Sequence, residues 1–348
     1  MGSQSCGGCH KELYDIFMKS GHPWQLNPVI NGQSPKYPFT EIKVLPQGYS
    51  WKDISYVIGG FNWKALFVNI DGYIITDEVG KSGNSEFLNQ YNYADSLINK
   101  TAGWVKYHAG ADKLLYDCGS CHTTGYSSNG HQDNLPGVVG SWALPGVQCE
   151  ECHGPGSLHA SNPTGIAMRI ERTSGLCSKC HSSKNQNTLV VSNGFIQNHQ
   201  QYTELYQGKH LTLDCIVCHD PHKGVEQPRR NNQPTTTIQC ENCHWKEAGY
   251  QKSSIMAGVK CVECHMPRMA MSAWSEPARF IGDIRAHLLA IDPTQIGQFS
   301  QDGNTAISQV SLDFACKSCH GTGGIAESLS DQELMATANQ YHTKPVAP

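Results

Sequence analysis

Apolar and polar positions alternate in two different ways along the chain. Between residues 54 and 79, strand-forming residues run in three short stretches, Ile54–Ile58, Lys64–Ile70 and Tyr73–Val79, with Asp71-Gly72 between the last two. Runs of this length joined by an Asp-Gly pair predict a small antiparallel sheet with a hairpin turn. Helical spacing is confined to short segments, and Glu12–Lys19, Tyr202–Gln207 and Asp331–Tyr341 are the predicted helices. Leu135-Pro136-Gly137, Leu144-Pro145-Gly146 and the tract Glu226–Thr237 read as connectors, and the tail Lys344-Pro345-Val346-Ala347-Pro348 as extended or pinned by a neighbour. No apolar run approaches the ~18 residues that cross a bilayer as a helix, so no membrane span is expected.

Composition changes this picture. Only 39% of the 348 residues are hydrophobic, which gives a thin core for the length, and Lys+Arg 26 against Asp+Glu 30 offers no basic surface for nucleic acid. The unusual figures are 16 Cys and 17 His. Every cysteine belongs to a C-x-x-C-H run: Cys6, Cys9 and His10; Cys118, Cys121 and His122; Cys149, Cys152 and His153; Cys177, Cys180 and His181; Cys215, Cys218 and His219; Cys240, Cys243 and His244; Cys261, Cys264 and His265; Cys316, Cys319 and His320. The run is the c-type heme attachment signature. Two thiols three positions apart on one helical turn reach the two vinyl groups of a porphyrin as thioethers, and the next residue supplies its imidazole to the iron. Zinc ribbons or disulfides would use the cysteine spacing but give no reason for a His after every second cysteine. The reading is eight covalent hemes c with eight proximal His.

Nine histidines remain: His22, His108, His131, His159, His199, His210, His222, His287 and His342. Eight bis-histidine irons need eight distal ligands. His22, His108, His159, His199, His210, His222, His287 and His342 are the candidates, and His131, in a polar loop, is the expected spare. His159 and His222 each follow a motif by a few residues with Gly or Pro to turn the chain. Methionine is the competing axial ligand, and Met266, Met269 and Met271 follow His265 closely; packing against porphyrin faces is the reading preferred for them.

The intervals between successive motifs are irregular, widest between Cys9 and Cys118 and narrowest between Cys243 and Cys261, so no fixed repeat exists. The expected architecture is mainly loops and short α-helices around a closely packed octaheme chain, with a small antiparallel β element in the N-terminal part and little sheet elsewhere. Residues 1–117 form the first heme and a heme-poor β module, 118–320 a dense seven-heme region without a conventional core, and 321–348 a C-terminal helix and tail. Two propionates per heme would take the formal charge of −4 to about −12 oxidised and about −20 reduced. Such a charge calls for buried cations or calcium near the propionates. Heme c is attached after export, so the expected location is the cell exterior or surface, with the periplasm as alternative and the signal peptide absent from this sequence.

The segment from Ile54 to His159 resembles the multiheme cytochrome c superfamily. It carries Ile58-Gly59-Gly60-Phe61-Asn62-Trp63-Lys64, Gln90-Tyr91-Asn92, Cys118-Gly119-Ser120-Cys121-His122-Thr123-Thr124-Gly125-Tyr126 and Cys149-Glu150-Glu151-Cys152-His153-Gly154-Pro155-Gly156. The resemblance implies soluble carriers, octaheme reductases or extracellular cytochromes that polymerise. Reductases of the superfamily place Lys or an altered motif at the catalytic heme; here all eight motifs end in His. The expectation is therefore an electron conduit rather than an enzyme, passing charge to other redox proteins or extracellular acceptors. It would form a homo-oligomer or filament, with His342 or His22 crossing to the next subunit. The alternative is an octaheme oxidoreductase acting on a small nitrogen or sulfur compound at one open iron.

Overall fold

The strand signals of the N-terminal third are realised as one five-stranded sheet. Its strands, in spatial order, are Leu26–Pro28, Ile54–Gly59, Lys64–Asn69, Gln90–Asn92 and Gly103–Val105, each antiparallel to its neighbour. Both faces are buried because side chains alternate across the pleat. Tyr56, Ile58, Leu66 and Val68 join Leu26, Tyr116 and Trp142 on one side, while Val57, Ala65 and Phe67 join Ile42, Ile75 and Phe87 on the other. Ile54 sits with Val57 rather than with Tyr56 and Ile58. An irregularity in the register between Ile54 and Tyr56 explains this, since one extra residue moves a side chain to the opposite face.

Asp71-Gly72 does reverse the chain: Gly72 has φ +88°, and Asn69 N–H donates to Tyr73 O at 2.9 Å. The third predicted stretch, Tyr73–Val79, is not a strand. Ile74 gives its N–H to Leu114 O at 2.8 Å, so the segment forms only isolated bridges, to Val68 and Leu115. The connector at 135–138 comes so close that a Cβ on Gly72 would lie 2.8 Å from that of Leu135.

The computed structural model describes residues 1–183, 187–252, 254 and 256–342; the tail from Lys344 to Pro348 lies outside them. Its packing divides into two units. The first comprises Met1–Ala94, Thr101–Arg172 and His219–Thr235, the second Asp95–Lys100, Thr173–Cys218 and Thr236–Pro348. Among the described residues the α-helices are short, as expected, the longest being Leu312–His320, and neither large sheet closes on itself.

The second unit departs from expectation in having its own five-stranded sheet, Ile281–Ile284, Ala270–Glu276, Phe195–Gln197, Leu189–Ser192 and Thr305–Ala306 in spatial order. Only the contact between Ala270–Glu276 and Phe195–Gln197 is parallel. It also has a conventional core. Phe195, Ile196, Met269, Leu288, Val310 and Phe314 are each at most 2% exposed and pack together. Met269 therefore belongs to protein packing rather than to a porphyrin face, with Met271 against the same core.

The predicted helices appear as Lys11–Phe17, Gln201–Leu205 and Asp331–Ala338. The tract read as a connector contains a helix, Glu226–Arg230. Its Glu226 carboxylate receives Arg230 Nε at 2.7 Å one turn on, a pairing that offsets Pro228 in the middle.

Candidate heme-binding centres

Each motif sits on a turn of helix. The final His N–H closes onto the carbonyl of the first Cys at His10 (2.8 Å), His122 (3.1 Å), His181 (2.9 Å) and His244 (2.8 Å). This turn puts both thiols on one side with the imidazole beside them. All sixteen thiols are free of disulfides. Among the described residues no group of three or more His, Cys, Asp and Glu converges as a metal site.

Two pairs of motifs are joined by the same device. Ser3, three positions before Cys6, accepts the Cys149 N–H at 3.2 Å and donates to Gln148 Oε1 at 2.6 Å. Ser174, three positions before Cys177, accepts the Cys215 N–H at 3.1 Å and donates to Asp214 Oδ1 at 3.1 Å. One buried hydroxyl thus ties the start of one motif helix to the start of another. Helices Cys261–His265 and Leu312–His320 also pack against each other.

Several non-motif histidines face a motif His ring: His159 faces His10 at 6.3 Å between centroids, His222 faces His153 at 6.1 Å, and His199 faces His181 at 6.3 Å. His210 faces His244 at 5.9 Å and His342 faces His265 at 5.9 Å. Rings in direct face contact lie about 3.5–4 Å apart. Two metal–imidazole bonds of about 2.0 Å, plus about 1.1 Å from each nitrogen to its ring centre, give about 6.2 Å. The spacing thus fits one iron between each pair. The rings are close to parallel in four pairs, with interplanar angles of 17° for His10, 8° for His153, 15° for His181 and 19° for His265, whereas His210 and His244 are tilted by 44°.

The ring nitrogens are oriented by their surroundings. Nδ1 lies against a carbonyl oxygen in His122 (Gln25 O, 3.1 Å), His153 (Arg169 O, 3.1 Å), His159 (Ile166 O, 2.6 Å), His265 (Leu289 O, 2.8 Å) and His320 (Glu327 O, 2.8 Å). His181 and His199 use the side-chain oxygens of Gln201 and Asn198. An Nδ1–H donated there leaves Nε2 as the ligating atom. Burial pushes His122, His181, His210 and His342 below the ordinary imidazole range, with neighbouring histidines adding to this at the last two. The neutral ring favoured by this shift is the form that binds metal.

Apolar side chains stand exposed around these pairs. Leu13, Leu158, Leu211, Leu213, Ile216, Val217 and Trp245 all lie in or near motifs or facing histidines. A porphyrin bound at these motifs would cover them.

The candidate His108 and the expected spare His131 stand elsewhere. His108 is exposed with its ring edge-on to Tyr107, and His131 is exposed with Nδ1 2.6 Å from Val138 O; neither faces another His ring. His342, a candidate to cross to another subunit, faces His265 of its own chain instead. His22 lies in the turn His22–Trp24, and His287 gives its N–H to the buried Glu204 carboxylate.

Motif turns, free thiols and opposed imidazoles are the features of a multiheme c-type cytochrome, and the likenesses to known proteins support that superfamily. The family model for cytochrome c554 and c-prime matches residues 89–154. Dissimilatory sulfite reductase MccA of Wolinella succinogenes is 21% identical over 393 residues, covering 84% of this chain and 55% of that protein. Multiheme cytochrome MtrA of Shewanella baltica is 27% identical over 174 residues, covering 47% of each. The chain spans about half the length of these curated relatives. Among solved structures, the Wolinella succinogenes octaheme sulfite reductase MccA superposes with a TM-score of 0.61 at 19% identity, over 96% of this chain and 69% of that one. The outer cell wall cytochrome OcwA gives 0.55 at 18% identity, over 98% and 86%.

These matches correct the expectation of a carrier that catalyses nothing. The protein that both sequence and structure align with most of this chain is named as a sulfite reductase.

Proposed function

We propose that the chain carries eight hemes c, relays electrons through irons closed by two imidazoles, and reduces a small sulfur oxyanion of the sulfite kind at one iron left open. The observation that carries this is a shortage of imidazole. Eight motif histidines call for eight partners, and once His108 and His131 are set aside seven others remain. The named activity of MccA supplies the substrate class.

Heme c contributes one-electron redox chemistry and, where an axial position is free, a metal site for an anion's lone pair. The chain's own groups do the rest. His10 with His159, His153 with His222, His181 with His199, His210 with His244 and His265 with His342 would hold irons shut to substrate. Ser3 and Ser174 draw the motif helices into pairs, which shortens the distance charge must jump between them. The electrons would come from another redox protein. The likeness to OcwA, a cytochrome of the outer cell wall, supports placing this chain outside the cytoplasm.

The test uses the holoprotein as purified. Its mass should correspond to eight hemes, and protein reduced with titanium(III) citrate should be reoxidised by added sulfite. Reduced protein indifferent to sulfite, nitrite and related oxyanions would refute the reading.

A further inference from the structure

We infer that the open iron is the one held by His320, and that a small oxyanion binds on its second side. The inference rests on the reading above that one iron of the chain is open. His320 is built like the other histidines that would hold iron: it ends the helix Leu312–His320 that carries Cys316 and Cys319, and its Nδ1 lies 2.8 Å from Glu327 O, which would leave Nε2 to ligate a metal. All seventeen histidines are among the described residues. His10, His153, His181, His244 and His265 each face a second ring, yet among the described residues no ring stands across from His320.

The surroundings favour an anion. The turn Pro277–Arg279 packs on the helix that ends in His320. Arg279 Nε is buried there with no hydrogen-bond partner among the described residues. A buried cationic donor without an acceptor is costly unless an anion completes it. The next residue, Phe280, has φ +53°, a left-handed backbone state that a bulky side chain rarely adopts. It is held there by its ring lying edge-on to Phe314 at 5.7 Å and by Lys317 Nζ 5.9 Å over its face. Lys317 is itself anchored to Asp313 and Asp331, both at 2.8 Å, so Arg279 is the cation of this group left with a donor to give.

Carbon monoxide is the probe, because it binds reduced iron only where an axial position is free. Titrating the holoprotein reduced with titanium(III) citrate should give one carbon monoxide per chain. The Cys316→Ala/Cys319→Ala variant should carry one heme fewer and bind none. If that variant does not fold, a density map of the cyanide-treated wild-type holoprotein should show the ligand on the His320 iron. Arg279→Gln should keep the carbon monoxide stoichiometry while weakening the sulfite-induced spectral shift about tenfold. No carbon monoxide binding at all overturns this inference and the open-iron reading together. Binding that survives in the double variant, or cyanide on another iron, overturns this inference and leaves that reading standing. An unchanged sulfite affinity in Arg279→Gln removes Arg279 as the anion's partner.

Discussion

Glu204 offers a quantitative test of the packing in the second unit. It lies in the helix Gln201–Leu205 at 1% exposure, and its carboxylate accepts the His287 backbone N–H. Burial pushes the carboxyl up to about 7 from an ordinary 4.5, with the His287 hydrogen bond opposing the rise. An acid whose folded pKa is raised stays protonated in the folded chain after the unfolded chain has released its proton. Stability from this group is therefore complete below about pH 4.5, falls as pH rises, and levels off above about pH 7. The gap between those two values, at about 1.36 kcal/mol per pH unit, gives roughly 3 kcal/mol. Glu204→Gln keeps an acceptor for His287 N–H and removes the titration. The variant should match wild type near pH 4.5 and be about 3 kcal/mol more stable at pH 8. Urea unfolding of both holoproteins, followed by far-ultraviolet circular dichroism from pH 4.5 to 8, measures the difference, in which the other titrating groups cancel. Parallel curves across that range, or a variant less stable at pH 8, would show that Glu204 carries no burial penalty as a carboxylate.

Removing a facing imidazole should open an iron. His342→Gly takes away the ring 5.9 Å from His265, so reduced variant should bind one more carbon monoxide per chain than wild type, and added imidazole should reverse this. Ser174→Ala leaves the Cys215 N–H without its 3.1 Å acceptor, and thermal or urea unfolding should show a loss of about 1–2 kcal/mol. Gly194 has φ +74° and open space within 4 Å of where a methyl would stand, so Gly194→Ala should cost about 1–2 kcal/mol through backbone strain alone, read by the same unfolding assay.

Attachment chemistry is legible from spacing because a covalent bond between Cys and porphyrin demands a fixed local geometry. Facing histidines are legible only as a pool. Which ring meets which depends on contacts between residues as distant as His10 and His159, and no local pattern encodes those. His131 and His108 both lie outside that set, and nothing in the Trp104–Tyr107 neighbourhood marks His108 as turned aside. The second sheet does leave a signal. Asn193-Gly194 joins Leu189–Ser192 to Phe195–Gln197 with both turn residues at positive φ, the same kind of hairpin pair that locates the turn after Lys64–Asn69. The signal is faint because its strands are very short and their remaining neighbours come from residues 270–276 and 305–306. The expectation of a coreless dense region fails for a related reason: Phe195, Leu288 and Phe314 are scattered in sequence and meet only once these strands pair.

The separation of facing rings along the chain has a bearing on maturation. Where two imidazoles share a metal, export in the N-to-C direction delivers His199 soon after His181. His342 follows His265 only once the last motif has passed, and His159 follows His10 only after the whole N-terminal sheet and two further motifs. With those pairings as ligands, the cofactor attached first would wait longest among these for its second one. During that wait it is exposed to stray small molecules and oxidants, so the earliest motif to emerge is the one most in need of protection by the assembly machinery.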